Sequence, residues 1–525
     1  MKRTALWIGL TVLIAGISAL SWFGGVKSGW FRAWFGHEST ALKSPAFDTV
    51  PAEAFAAIPI HFSSLISKLD IEQHPLTKPA DPVAALFVDP KSSGLDLRGY
   101  GCGFAWLDGK RLWVGLSIPL ADERKLSQCL HLNEQKTEHT RFSVTRDSSV
   151  TRVVAHDKHH ALFLWTYGDS LDVPAALPER LLTLDPKGRL SAHPKFSAWL
   201  DSVSDAGLWF NTANLDGPGL LRSLHRIPRS VSALPLLTTE NIFTAIVDFT
   251  PGVAKLHWKL DPSAETRRWM EAYLGKQPGR IQARLFDPIP GDHLLFLGAL
   301  SVDLPRLLDR LETDAEADSL IGPQVKRWRE SMSLLGLERN ELLTLLRGDF
   351  ALGLMTTSAE SASPRAVLTA GIGNPQAFTR LLSLVTRYGV VEQKGNVYVV
   401  GERLGFAVRN NVLTIGWNAK AAVDAAAIGR KPSLPTDPAL VQRAGAYAYW
   451  GRLDVPAFSE KAERILASRP HAQSELKHAG TVVKSWEIRG TTYEGDCVLE
   501  LTNKIKNSLR VLIEEYPYSG GNHAR

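Results

Sequence analysis

The sequence predicts an α+β fold: two similar units, an internal duplication, each a mostly antiparallel sheet covered by helices, behind one N-terminal transmembrane helix. Three observations predict it. Ala5 to Phe23, ALWIGLTVLIAGISALSWF, runs nineteen residues without a charge, about the length a helix needs to cross a hydrocarbon core. The phrase FDTVP at Phe47 to Pro51 returns as FDPIP at Phe286 to Pro290. After each phrase, apolar strand-like runs alternate with short amphipathic helical ones, the pattern of sheets that bury a face against helices.

The anchor comes first in the chain. Lys2 and Arg3 precede Ala5 to Phe23, and no small-x-small cleavage site or lipid-bearing cysteine follows it. This favours an uncleaved single-pass anchor, N-terminus in the cytoplasm and the bulk of the chain in the periplasm, facing out from an inner membrane. Trp22, Trp30 and Trp34, with Phe31 and Phe35, supply an aromatic belt at that membrane's interface. Residues 1–45 are therefore read as anchor and interfacial segment, 46–280 as the first unit with an extension, and 281–525 as the second with a C-terminal hairpin and helix.

Within the first unit, AEAFAAIPIHFSSLISKLDI reads as a strand followed by a helix with Phe62, Leu65, Ile66 and Leu69 on one face. LRGYGCGFAWL enters a second strand from Leu97, and LWVGLSIPL a third. Pro119 and Asp122 then mark the start of a short helix. The second unit repeats the order: GDHLLFLGALSVDLPRLLDRL, then LRGDFALGLM from Leu346, then RAVLTAGIGNPQAFTRLLSLV with Asn374 and Pro375 at the helix start. Asn410 and Asn411 mark a tight turn between alternating runs, and a hairpin turn is expected near Gly490. The last helix, NKIKNSLRVLIEEY, is expected to turn Ile505, Leu509, Leu512 and Ile513 inward.

In this order of motifs the chain resembles a bacterial family of unknown function, mostly lipoproteins or membrane-anchored proteins of the Gram-negative envelope. The likeness rests on FDTVPAEAFAAIPIHFSSLISK, SGLDLRGYGCGFAWL, a Leu-x-Gly strand in the second half and TNKIKNSLRVLIEEY. It covers nearly all of the chain after the anchor, but its motifs are packing and turn residues. The resemblance therefore implies location and fold, and it brings no catalytic residues. This chain departs from the lipoprotein pattern in having an anchor with no lipid-bearing cysteine.

Composition excludes little else. The chain has 525 residues, 44% hydrophobic and 22% charged, with a net charge of +6. That is a weak field over such a length, and no basic stripe with interleaved aromatics is present, so nucleic acid is set aside as a partner. No HExxH, P-loop, GxSxG or GxGxxG signature occurs at a strand-helix junction. Ser474 and Lys477 have the Ser-x-x-Lys spacing without its companion motifs.

Candidate sites are few. His156, His159 and His160, beside Asp157, have ligand chemistry for zinc or copper; a polar hairpin turn is the competing reading. Cys102 and Cys129 are a candidate disulfide, with two buried thiols as the alternative. Asp96, Asp108, Asp122, Glu392 and Glu402 read as turn and cap acids. No catalytic residue and no cofactor is implied. The expected role is a binding or scaffold protein of the envelope, non-catalytic, holding another envelope protein or a polymer. The alternatives are an exported hydrolase or lipid- or glycan-modifying enzyme, and a carrier of a small apolar ligand.

Overall fold

The computed structural model describes residues 44–515, apart from 70–85, 216–238, 356–364, 417–441, 466–476 and shorter gaps. The Ala5 to Phe23 run, Trp22, Trp30, Trp34, Glu402 and Ser474 lie outside the described residues. The chain divides into two compact units, 1–266 with 503–525, and 267–502. The boundary expected after residue 280 thus falls after Thr266, and the C-terminal segment joins the first unit.

Ten strands build the first unit: β1 Ala56–His61, β2 Tyr100–Asp108, β3 Arg111–Pro119, β4 Gln135–Lys136, β5 Arg141–Asp147, β6 Val150–His156, β7 His160–Tyr167, β8 Ala206–Asn211, β9 Ile242–Thr250 and β10 Val253–Asp261. They pair antiparallel in the order β10-β9-β8-β1-β2-β3-β7-β6-β5-β4. The second unit holds β11 Leu294–Ser301, β12 Leu346–Met355, β13 Arg365–Ile372, β14 Glu392–Lys394, β15 Val397–Val400, β16 Leu404–Arg409, β17 Val412–Gly416, β18 Tyr449–Asp454, β19 Val483–Gly490 and β20 Glu494–Leu501. Their antiparallel order, β20-β19-β18-β11-β12-β13-β17-β16-β15-β14, is the same.

The α+β expectation needs correction. Antiparallel sheet dominates the described residues, with twenty strands, because the aromatic and β-branched runs extend to nine or ten residues in β2, β3 and β12. Helices reach fourteen residues, and no helix among the described residues is long and apolar enough to cross a membrane. The transmembrane helix that the fold class placed at the N-terminus is therefore not shown.

In the first unit both sheet faces are covered. One face buries Tyr100, Trp106, Trp113 and Trp209 under Phe47 and the helices α3 Ala176–Leu182 and α4 Pro194–Leu200. The other buries Ile58, Ile60, Ile118 and Phe163 under α1 Phe62–Leu69, α2 Glu123–Leu130 and α11 Ser508–Glu515. Each fully covered Leu, Ile or Phe contributes roughly 1.5–3 kcal/mol. At Gly101 the close approach of α1 leaves no room for a side chain, since a Cβ would stand 2.3 Å from the Phe62 ring.

The two repeated phrases fold alike. Phe47 ends a short 3-10 turn, Phe286 directly follows one, and both are buried. The Val50 and Ile289 amides donate back to the Phe47 and Phe286 carbonyls. Asp122 caps α2 by accepting from the Arg124 and Lys125 amides, and Asn410 and Asn411 take positive φ of 51° and 59° in the β16–β17 turn. One edge of each sheet is blunt: β4 and β14 have two and three residues, all polar.

Candidate functional site

At one end of the first sheet the chain brings together groups far apart in sequence. His61 closes β1 opposite Tyr100, which opens β2. Asp205 stands just before β8, and the His61 amide donates to its carbonyl at 2.8 Å. Asp248 lies near the end of β9, while α1 starts directly after His61 and carries Ser63, Ser64 and Lys68. A strand end at a helix start is where side chains from several elements converge without interrupting a ladder.

Asp205 is fully buried. Its carboxylate accepts from Lys68 Nζ at 2.5 and 2.6 Å, from Ser64 Oγ at 2.6 Å and from the Phe249 amide at 2.7 Å. Such saturation lets a charge remain in an apolar setting. Ser204 Oγ donates to Asp248. Burial raises the Asp248 carboxyl, the nearby Asp205 charge adds to that rise, and Lys68 and Lys255 oppose it.

His61 is held on three sides. Its ring stacks on Tyr100, with centroids 4.3 Å apart and planes at 10°. Nδ1 lies 2.9 Å from the Ser204 carbonyl and Nε2 lies 3.0 Å from Ser63 Oγ. A carbonyl only accepts, so Nδ1 carries the proton and Nε2 offers a lone pair to the Ser63 hydroxyl. Tyr100 is fixed in turn, donating to the Val203 carbonyl at 2.8 Å. Burial, then the Asp205 and Asp201 charges, pushes its phenol up to about 12.

The histidines singled out by sequence do not converge. His156 and His160 flank the β6–β7 turn on opposite faces, because His156 pairs with Ala161 and alternation turns His160 the other way. His156 meets Ser127 of α2 through Nε2 at 3.2 Å. His160 donates from Nδ1 to Asp157 at 2.8 Å, and its Nε2 stands 3.8 Å from Asp48, which pairs with Arg189 at 2.6 Å. His159 is exposed. Among the described residues no group of three His, Cys, Asp or Glu side chains is placed to hold a metal ion.

The Cys102–Cys129 disulfide is corrected. Cys102 is buried beneath the Phe47 face of the sheet, whereas α2 packs on the opposite face and exposes Cys129. The sheet itself separates the two sulfurs. Asp96 pairs with Arg98 at 2.6 Å and Asp108 is exposed at the end of β2; Glu392 lies in edge strand β14.

In the second unit the position of His61 is taken by Ser301, opposite Asp349, and that of Asp205 by Ala448, whose carbonyl accepts from the Ser301 amide. Asp349 pairs with Arg347. The His61 constellation therefore belongs to the first unit. Sequence reasoning missed it: Lys68 and Asp205 are 137 residues apart, and no local spacing announces them. The chain matches no protein-family model, no curated protein and no solved structure.

Proposed function

We propose that the protein is an envelope protein, tethered to the inner membrane by Ala5 to Phe23, that binds another envelope protein through an apolar surface of its second unit. The tether rests on the uncharged N-terminal run and on the likeness to envelope-anchored proteins. Binding rests on one observation, a difference between two positions of equal register. Ile60 in β1 is 4% exposed beneath α1 and α11, whereas Leu300, at the same place in β11, is 44% exposed. Leu308 and Leu311, one turn apart on α6 Leu304–Ala317, are 37% and 48% exposed.

A helix does reach this side of the second unit. α5 Ala264–Leu274 meets α6 through polar contacts, Arg306 Nε to the Ala272 carbonyl and Tyr273 to Asp314. The leucines stay uncovered. In the first unit an amphipathic helix fills the same place with Leu509 and Ile513, so the occupant we assign is an apolar helical segment of a partner protein.

A photo-crosslinking residue at Leu308, introduced in cells, is expected to capture one partner, and L311D to reduce that capture at least tenfold. The same probe at Val144, exposed in the first unit, serves as control. Capture of a second copy alone, or equal capture at both positions, overturns the assignment.

A further inference from the structure

We propose that Ser63 and His61 are a nucleophile and general base that cleave carboxylic esters. The inference concerns the first unit and does not rest on the docking surface of the second.

The geometry contains the parts an acyl transfer needs. Ser63 Oγ donates to His61 Nε2 at 3.0 Å, and the Ser204 carbonyl fixes the imidazole tautomer at 2.9 Å, the orienting role that a carboxylate plays in serine hydrolases. Stacking on Tyr100 keeps the ring from turning. Tyr100 is itself anchored to Val203, and its high pKa keeps the phenol a neutral donor. Ser63 lies in the first turn of α1, where amides without helical partners and the helix dipole favour developing negative charge.

Ser63 and His61 are both partly exposed. Neighbouring Ser64 is turned away, its hydroxyl donated to Asp205. Lys68 is bound to Asp205, which is fully buried.

In the reaction Ser63 Oγ attacks the ester carbonyl carbon while its proton passes to His61 Nε2. The ester C–O bond breaks, and the leaving alcohol takes that proton, leaving an acyl-Ser63. Water repeats the sequence: it attacks the acyl carbon, gives its proton to His61, and the acid departs as Ser63 recovers the proton.

The competing account is a local hydrogen bond at a helix start, which confers no reactivity. Purified full-length protein is treated with a fluorophosphonate probe and its peptides are analysed by mass spectrometry. One adduct on Ser63 is expected, lost in S63A and retained in S64A. H61Q should slow labelling by about 100-fold or more, with the melting temperature tracked in parallel. The labelling rate of the native protein should fall as acid protonates the imidazole. If S63A does not fold, S63C takes its place and should react with iodoacetamide faster than Cys129. No adduct, an adduct on another serine, or labelling indifferent to H61Q in a folded variant overturns the proposal.

Discussion

Three donor groups, Lys68, Ser64 and the Phe249 amide, meet the two oxygens of the buried Asp205 carboxylate in four contacts. Removing it strands the Lys68 ammonium, so D205A should cost about 3–5 kcal/mol in chemical denaturation. D48A breaks a pair whose carboxylate is far more open, Arg189–Asp48, and should cost less than about 1 kcal/mol. Asp157 predicts a pH effect. Burial opposes its charge, but hydrogen bonds from His160 and from the His159 and His160 amides outweigh it and hold the carboxyl below its usual value of 3.8. A depressed folded pKa contributes stability above the unfolded value and loses it as pH falls through the folded one. D157N should therefore flatten the decline of stability below about pH 4, read from denaturation midpoints. At this scale the sequence was legible wherever the cause was local: Asp122 as a cap, Asn410 and Asn411 as a turn. It was silent where partners lie more than a hundred residues apart.

Among elements, α11 shows how a pattern misleads by one turn. The apolar spacing of NKIKNSLRVLIEEY fits a helix from its first residues, yet Asn503 folds back, accepting from the Ile505 and Lys506 amides. The helix begins only at Ser508. Ile505 is consequently 91% exposed, while Leu509 and Ile513 are buried. L509A should cost about 2–5 kcal/mol and I505A almost nothing, measured in the same denaturant. The strand-helix punctuation of α2 and α9 Pro375–Arg387 was legible because caps are written in single residues. The dominance of sheet was not, since strand length depends on neighbours that only the paired chain supplies.

For the whole molecule, the repeated phrases pointed to two units, and the same ten-strand order appears in each. What no phrase revealed is that residues 503–515 complete the first unit. Asn507 Nδ2 donates to the Phe249 carbonyl and Ser508 Oγ to that of Val253. Cutting the chain after Thr502 should leave Ile60 and Leu65 uncovered and make residues 44–266 the first to be cleaved in limited proteolysis, with 267–502 resisting longer. The same closure has a meaning in time. A chain emerging residue by residue can fold its second unit before the first is finished, although the first was made earlier. Until the final helix arrives, the earlier-made half waits with an open apolar flank. A chain that stops short of α11 leaves the first unit's apolar flank open.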